Sequence, residues 1–331
     1  MPTPSLLHVD ASLTQLAVER GARSGRFLAP RIFTPVPVMK QSDVFFTIDP
    51  LGQTWRKIDD VRGPAGEPNT VDSDVDASRT YFARDHALRA FEAIEELANA
   101  DAGAMPAVDK ALFVWDVLRR NAEILAQGLI AANLTGGTLT DTPANKFDDY
   151  TNGDPIGYIR TQILAAQVRS GASPNVVAMD SAVLRLIAGH PDFLSRLTPT
   201  TVPQGYSGLD AMAAALAAML GVDAVEYADL AFVNTAAQGQ TPAYSRIWGD
   251  DVLIYRREPV RVGCNTFGVQ FVWETGIPGV SQEGIVMQRF PAPSRSADEV
   301  QGHWFYDFQT LRAAASAQIP AFRITNSVAA F

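Results

Sequence analysis

The chain has 331 residues, 47% of them hydrophobic and 19% charged, with a net charge of −9. That is enough to bury one large or two modest cores, and the acidic balance argues against a nucleic-acid clamp. A lone cysteine, Cys264, excludes an intrachain disulfide and a cysteine-based zinc site.

The charged share lies below the usual ~25%, leaving neutral surface suited to burial between subunits. The opening M-P-T-P-S-L-L-H-V-D lacks the basic region and apolar core of a secretory signal. No run of about 18 apolar residues marks a membrane span. The expectation is a soluble cytoplasmic product.

Residues 1–39 read as an arm, with a short helical turn near Ser12 to Arg20. Its segment F-L-A-P-R-I-F-T-P-V-P-V carries Pro30, Pro35 and Pro37, each fixing φ and removing a donor, so the arm is expected to be extended rather than helical. Phe27, Leu28, Ile32, Phe33, Val36 and Val38 are too apolar for a free tail. The arm therefore needs a surface to lie on, and a neighbouring copy is the expected one.

Residues 40–84 read as a long two-stranded excursion, out near Val44 to Ile48 and back near Arg79 to Ala83. Between them lies a Gly-, Pro- and Asp-rich loop of unusual length.

Residues 85–153 centre on a helix over 107–134. Val108, Leu112, Trp115, Leu118, Ala122, Leu125 and Leu129 form its apolar stripe, Pro106 starts it and Gly136-Gly137 stop it. At ~1.5 Å per residue it is a rod of roughly 40 Å.

Residues 154–260 are mixed α/β. Pro155 to Val168 reads as a helix with Ile156, Ile159, Ile163 and Leu164 on one face. A buried strand closes at Asp180, Ser181 to Ala188 is a short helix, and Leu209 to Leu220 is an alanine-rich one. Strands follow at Ala224 to Tyr227, Leu230 to Asn234 and Val252 to Arg256. Residues 261–331 hold an alternating strand over Arg261 to Glu274, then Trp304 to Thr310 and Phe322 to Asn326.

Candidate chemistry is thin. Asp72, Asp74 and Asp76 alternate like the start of a calcium loop, but Ala77 stands where glycine is needed and Ala83 where a bidentate glutamate belongs, so a solvated acidic loop is the reading. Asp250-Asp251 reads as a turn or strand start. His8, His86, His190 and His303 have no metal-ligand spacing, and His190 before Pro191 reads as a cap or turn closure. Gly205-Tyr206-Ser207-Gly208 lacks the flanks of a nucleophile elbow and leads into a helix, with Ser207 as a cap. Cys264 in a strand reads as an inert small residue. No catalytic, cofactor or metal residue is assigned, and no cofactor is expected.

In order and spacing, five segments resemble the major capsid proteins of tailed bacteriophages, whose shell fold is shared with encapsulins. They are the arm F-L-A-P-R-I-F-T-P-V-P-V, the loop sides K-Q-S-D-V-F-F-T-I-D and R-T-Y-F-A-R-D-H-A-L, the rod A-V-D-K-A-L-F-V-W-D-V-L-R-R-N-A-E-I-L-A, the run S-P-N-V-V-A-M-D-S-A-V-L-R-L-I-A-G-H-P, and the strand S-R-I-W-G-D-D-V-L-I-Y. The resemblance covers most of Phe27 to Trp273.

It implies an α+β fold with an N-terminal arm, an extended β-hairpin loop, a peripheral domain with a long spine helix and an axial α/β domain. It implies a structural protein, not an enzyme, assembling as pentamers and hexamers into an icosahedral head around double-stranded DNA. The implied partners are other copies, a portal, a scaffold, a cement protein and weakly held DNA. The implied place is the virion, assembled in the host cytoplasm. With no long charged helical leader, a separate scaffold is expected. Some relatives crosslink through a lysine–asparagine bond. Lys57 is the positional candidate here, but neither the asparagine nor the glutamate matches, so it reads as a solvated lysine. An encapsulin shell is the alternative in the same fold, disfavoured by the long arm; an α/β enzyme with an unrecognised site is the alternative in another class.

Overall fold

The computed structural model describes residues 13–15, 27–48, 57–62, 64, 66–71, 75–99, 106–197, 208–229, 231–260, 266–274, 284–311 and 319–329. In chain order its elements are α1 (Ala29–Ile32), β1 (Phe33–Val38), β2 (Ser42–Ile48), β3 (Val75–Phe82), β4 (Arg84–Ala93), α2 (Ile94–Ala98), α3 (Pro106–Asn133), β5 (Thr140–Asp141), α4 (Pro155–Ser170), β6 (Val176–Asp180), α5 (Ser181–Gly189), α6 (Pro191–Arg196), α7 (Gly208–Leu220), β7 (Ala224–Ala228), β8 (Phe232–Asn234), β9 (Tyr244–Arg246), β10 (Val252–Tyr255), β11 (Gly268–Trp273), β12 (Ile285–Ala292), β13 (Ala297–Thr310) and β14 (Ala321–Ile324).

The arm departs from expectation twice. Pro30 does not prevent a helix, because it sits in the first turn of α1, where its missing N–H would have no partner anyway. Nor does the segment need a neighbour to lie on. Leu28, Ala29, Ile32 and Phe33 are buried in the chain's own core, and β1 pairs in parallel with β11, Phe33 opposite Gly268 and Val38 opposite Trp273.

The prolines fit this strand for a geometric reason. The Glu274 amide donates to the Val38 carbonyl, so Val38, and by alternation Val36 and Thr34, point their backbone groups at β11. Pro35 and Pro37 then face outward, where a missing N–H costs nothing and leaves no donor for a further strand.

Two sheets form the body. In the first, β13 pairs antiparallel with β4, β12 and β11, and β1 extends it beyond β11. The second runs β5-β14-β10-β6-β7. Strand β6 is buried on both faces, as its unbroken apolar run V-V-A-M requires. Val177 and Met179 face α4, α5 and α7, while Val176 and Ala178 face α1 and α3. The hairpin β2–β3 is a separate two-stranded ribbon with a bulge between Phe45 and Thr47, and it packs Phe45 and Tyr81 on β11.

Helix α3 joins the layers and ends as the sequence predicts, with Gly136 at φ 88° just beyond it. Its first half packs Ala111, Val114, Trp115 and Leu118 on the first sheet; its second half packs Ala122, Ala126 and Ile130 on the arm and the second sheet. The buried face is thus turned from the predicted stripe, and Leu125 is exposed. On α4, Leu164 is likewise exposed and Ala166 takes the core position. Strands β1, β4, β5, β9 and β12 and the short helices α2 and α6 are additional to those read from the sequence. Residues 13–15 are helical, as expected; the rest of that predicted turn lies outside the described residues. Of the long strand predicted over Arg261 to Glu274, only Gly268–Trp273 is strand, and 261–265 lie outside the described residues.

Gly268 is where the arm meets the sheet. A Cβ there would come within 2.6 Å of the Phe33 ring. Gly268→Ala should therefore displace Phe33 and cost about 1–3 kcal/mol in urea unfolding; a change below ~0.5 kcal/mol would show that the ring can move aside.

Candidate functional site

Among the described residues, the carboxylate of Glu123, midway along α3, is fully buried. Sequence periodicity alone does not reveal it, because Glu123 neighbours the stripe residue Ala122 and an ionised side chain is rarely buried unpaired. The structure surrounds it with donors. Oε1 accepts from the Leu28 amide at 2.6 Å and from the Trp248 indole at 2.6 Å, and Oε2 accepts from the Ala29 amide at 2.9 Å. The two amides belong to the start of α1, where a helix has N–H groups without internal partners. Burial pushes the Glu123 carboxyl above the usual range, and the two amides, the indole and Arg119 pull it back only in part.

The other end of α1 is held as firmly. The Arg31 carbonyl accepts from Arg257 Nη1 at 3.1 Å and from the Tyr255 hydroxyl at 3.4 Å, while the Arg31 guanidinium pairs with Glu226 on β7. One helical turn of arm is thus clamped between α3 and the second sheet, with a carboxylate at its N-terminus and cations at its C-terminus, the arrangement a helix dipole favours.

From this clamp the chain runs through β1 to the hairpin. Tyr81 stacks on Phe271 at 4.3 Å between ring centroids, and Phe45 lies 5.3 Å from the same ring. Val36 and Val38 of β1 complete that seat. Trp273 Nε1 donates to the Met39 carbonyl at 3.2 Å, and the Phe82 amide donates to Asp307. The outer face of the ribbon is also apolar. Val44, Phe46 and Phe82 alternate away from the seat, and Phe46 is 66% exposed. Further exposed apolar residues stand on α3 (Phe113, Ile124, Leu125) and on α4 (Leu164, Val168).

The residues singled out from sequence have structural roles where they are described. Asp180 caps α5 through the Ala182 amide at 2.9 Å and pairs with Arg246 at 2.5 Å. Asp251 pairs with Arg323 at 2.6 Å, and the Asp250 carbonyl accepts from Ser327. His190 caps α6, accepting from the Asp192 amide at 3.2 Å. His86 stacks on Tyr306, and His303 faces Asp85 at 2.9 Å. Asp76 accepts from the Ser78 amide at 2.8 Å, Lys57 is exposed, and Gly208 begins α7. Asp72, Asp74, His8, Cys264 and Gly205 to Ser207 lie outside the described residues. No cluster of potential metal ligands occurs among the described residues, and no described helix is long and apolar enough to cross a membrane.

Arm, projecting ribbon, spine helix and two sheets in this order make the shell fold of tailed-phage capsid proteins. The chain is similar, at 15% identity and a TM-score of 0.65, to the crystal structure of a phage-related protein from Bordetella bronchiseptica RB50, covering 97% of this chain and 98% of that one. It is also similar to a structure of Microbacterium phage Oxtober96, at 12% identity and a TM-score of 0.54 over 91% of each chain. The capsid structure of cyanophage P-SCSP1u matches at 10% identity and a TM-score of 0.52, over 91% of this chain and 88% of that one. No protein-family model and no curated protein matches the chain.

The charge on Glu123 sets a pH dependence. Its folded value lies above the unfolded one, so its contribution to stability is complete below the unfolded carboxylate value and is lost as pH rises through the folded one. The stability advantage of wild type over Glu123→Gln in urea should shrink as pH rises from about 4. An advantage that grows with pH would mean that the donors outweigh burial. At neutral pH, Trp248→Phe, which removes one donor, should cost about 1–2 kcal/mol.

Proposed function

We propose that the chain is the major capsid protein of a tailed phage or prophage. It acts as a structural subunit, not an enzyme, that assembles with its own copies into pentamers and hexamers and closes an icosahedral head around double-stranded DNA. The observation that carries this reading is the hairpin. A ribbon that seats one apolar face on its own body and presents Val44, Phe46 and Phe82 on the other needs a second surface to cover that face. The exposed apolar residues of α3 and α4 supply lateral surface for further contacts, and several interfaces of ~800 Å² per partner hold a shell without covalent links. The fold supports the same reading. A portal and a separate scaffold are the further partners this reading implies, with a cement protein as an optional addition outside the shell. With a net charge of −9, contact with packaged DNA is weak and nonspecific. The place of action is the virion, after assembly in the host cytoplasm.

Negative-stain electron microscopy with sedimentation velocity tests the reading. Wild type should give closed polyhedral particles or rings of five and six. A Val44→Asp/Phe46→Asp variant should fold and remain as 35.7 kDa subunits. Nuclease-protected DNA in particles purified from cells marks a virus head, whereas particles filled with a protein cargo would overturn the virus reading. A wild type that stays a monomer at high concentration and under crowding, and also when co-expressed with its scaffold, would overturn the shell itself.

A further inference from the structure

We propose that Glu123 is the positioning residue for the extended hairpin: by gripping the start of the arm it selects the register of β1 on β11, and through that register the place where the hairpin leaves the body. The inference rests on the reading that the hairpin is the part that reaches a neighbouring copy.

The connection from carboxylate to hairpin is short and stiff. Glu123 holds the amides of Leu28 and Ala29, α1 is a single turn, and β1 follows without a break. Beyond Val38 the Met39 carbonyl accepts from Trp273, and β2 starts at Ser42. Strand β1 is also part of what the hairpin sits on, since Val36 and Val38 pack with Phe45, Tyr81, Val269 and Phe271. A change in the register of β1 therefore moves both the root of the hairpin and half of its seat.

The alternatives open to β1 are discrete. A one-residue slip would turn every side chain to the opposite face and would point Pro35 and Pro37, which have no donor, at β11. The nearest competing register is a slip of two residues, about 6–7 Å along the strand. Apolar burial discriminates weakly between the two, because Thr34, Val36 and Val38 present similar small side chains two residues apart. Two features do discriminate. Phe33 fits over Gly268, which has no Cβ to meet the ring. Glu123 is the other: its oxygens sit where the amides of 28 and 29 arrive in one register only, and a slip would leave a fully buried carboxylate facing the wrong backbone atoms.

The test is a distance measurement on the full-length, unassembled chain. In a Cys264→Ser background, spin labels are placed through Ser78→Cys on the hairpin and Gln167→Cys on α4, both exposed positions. Wild type at position 123 should give one narrow distance distribution. Glu123→Gln replaces an acceptor with an amide donor facing Ala29 or its neighbours, and should add a second population displaced by about 6–7 Å while near-ultraviolet dichroism shows a packed body. Glu123→Asp keeps the carboxyl group but shortens the reach. It should give the same second population, and it carries the test if the glutamine variant does not fold. A single unchanged distribution in a folded variant overturns the proposal. Because no assembly is needed for the measurement, failure of the shell reading and failure of this one are seen separately.

Discussion

A carboxylate that is fully buried must be surrounded by donors or it destabilises the fold, and Glu123 meets that condition by drawing three donors from two different parts of the chain. Two are amides at the start of α1 and the third is the Trp248 indole. The requirement ties arm, spine helix and the turn that leads into β10 at one point. Around it the apolar core continues without interruption, from Leu28 and Ile32 through Ala126 and Ile130 to Val176, Leu253 and Tyr255. A buried charge adds little net stability compared with an apolar packing of the same volume, but it is intolerant of misplacement. Its value here lies in specifying one arrangement.

That constraint divides the apolar surface of the chain into two kinds. One kind is used internally: the arm, both faces of β6, the first-sheet face of α3 and the inner face of the hairpin. The other kind remains outward on the hairpin, α3 and α4. Pro35 and Pro37 close the open edge of the first sheet, so growth by strand addition is blocked where β1 ends it. In the proposed shell, the outward side chains of the hairpin, α3 and α4 are the surfaces offered for contact between copies.

Much of this was legible in the sequence because it rests on local physics. The span of α3, set by Pro106 and Gly136, the cap at His190, the two sides of the hairpin and the buried strand that closes at Asp180 all follow from periodicity and turn chemistry. The arm was legible as apolar and proline-spaced, but its partner was not, because a parallel pairing of residues more than 200 apart leaves no local trace. The same holds for Glu123. On a helical wheel it looks like a polar residue at the edge of the stripe, and only the arrival of Leu28, Ala29 and Trp248 makes it a core residue. Leu125 and Leu164 mark the converse limit, since an apolar residue on a helix reads as core whether its cover is the same chain or another.

Hydrogen exchange on the intact protein, before and after assembly, tests the central claim that the arm belongs to its own subunit while the outer hairpin face belongs to the interface. The account predicts that the non-proline amides of residues 28–38 are equally protected in unassembled subunits and in assembled particles, and that those of β2 and β3 gain protection only on assembly. Arm amides that exchange freely until copies come together would contradict it, and would return the arm to a neighbouring subunit.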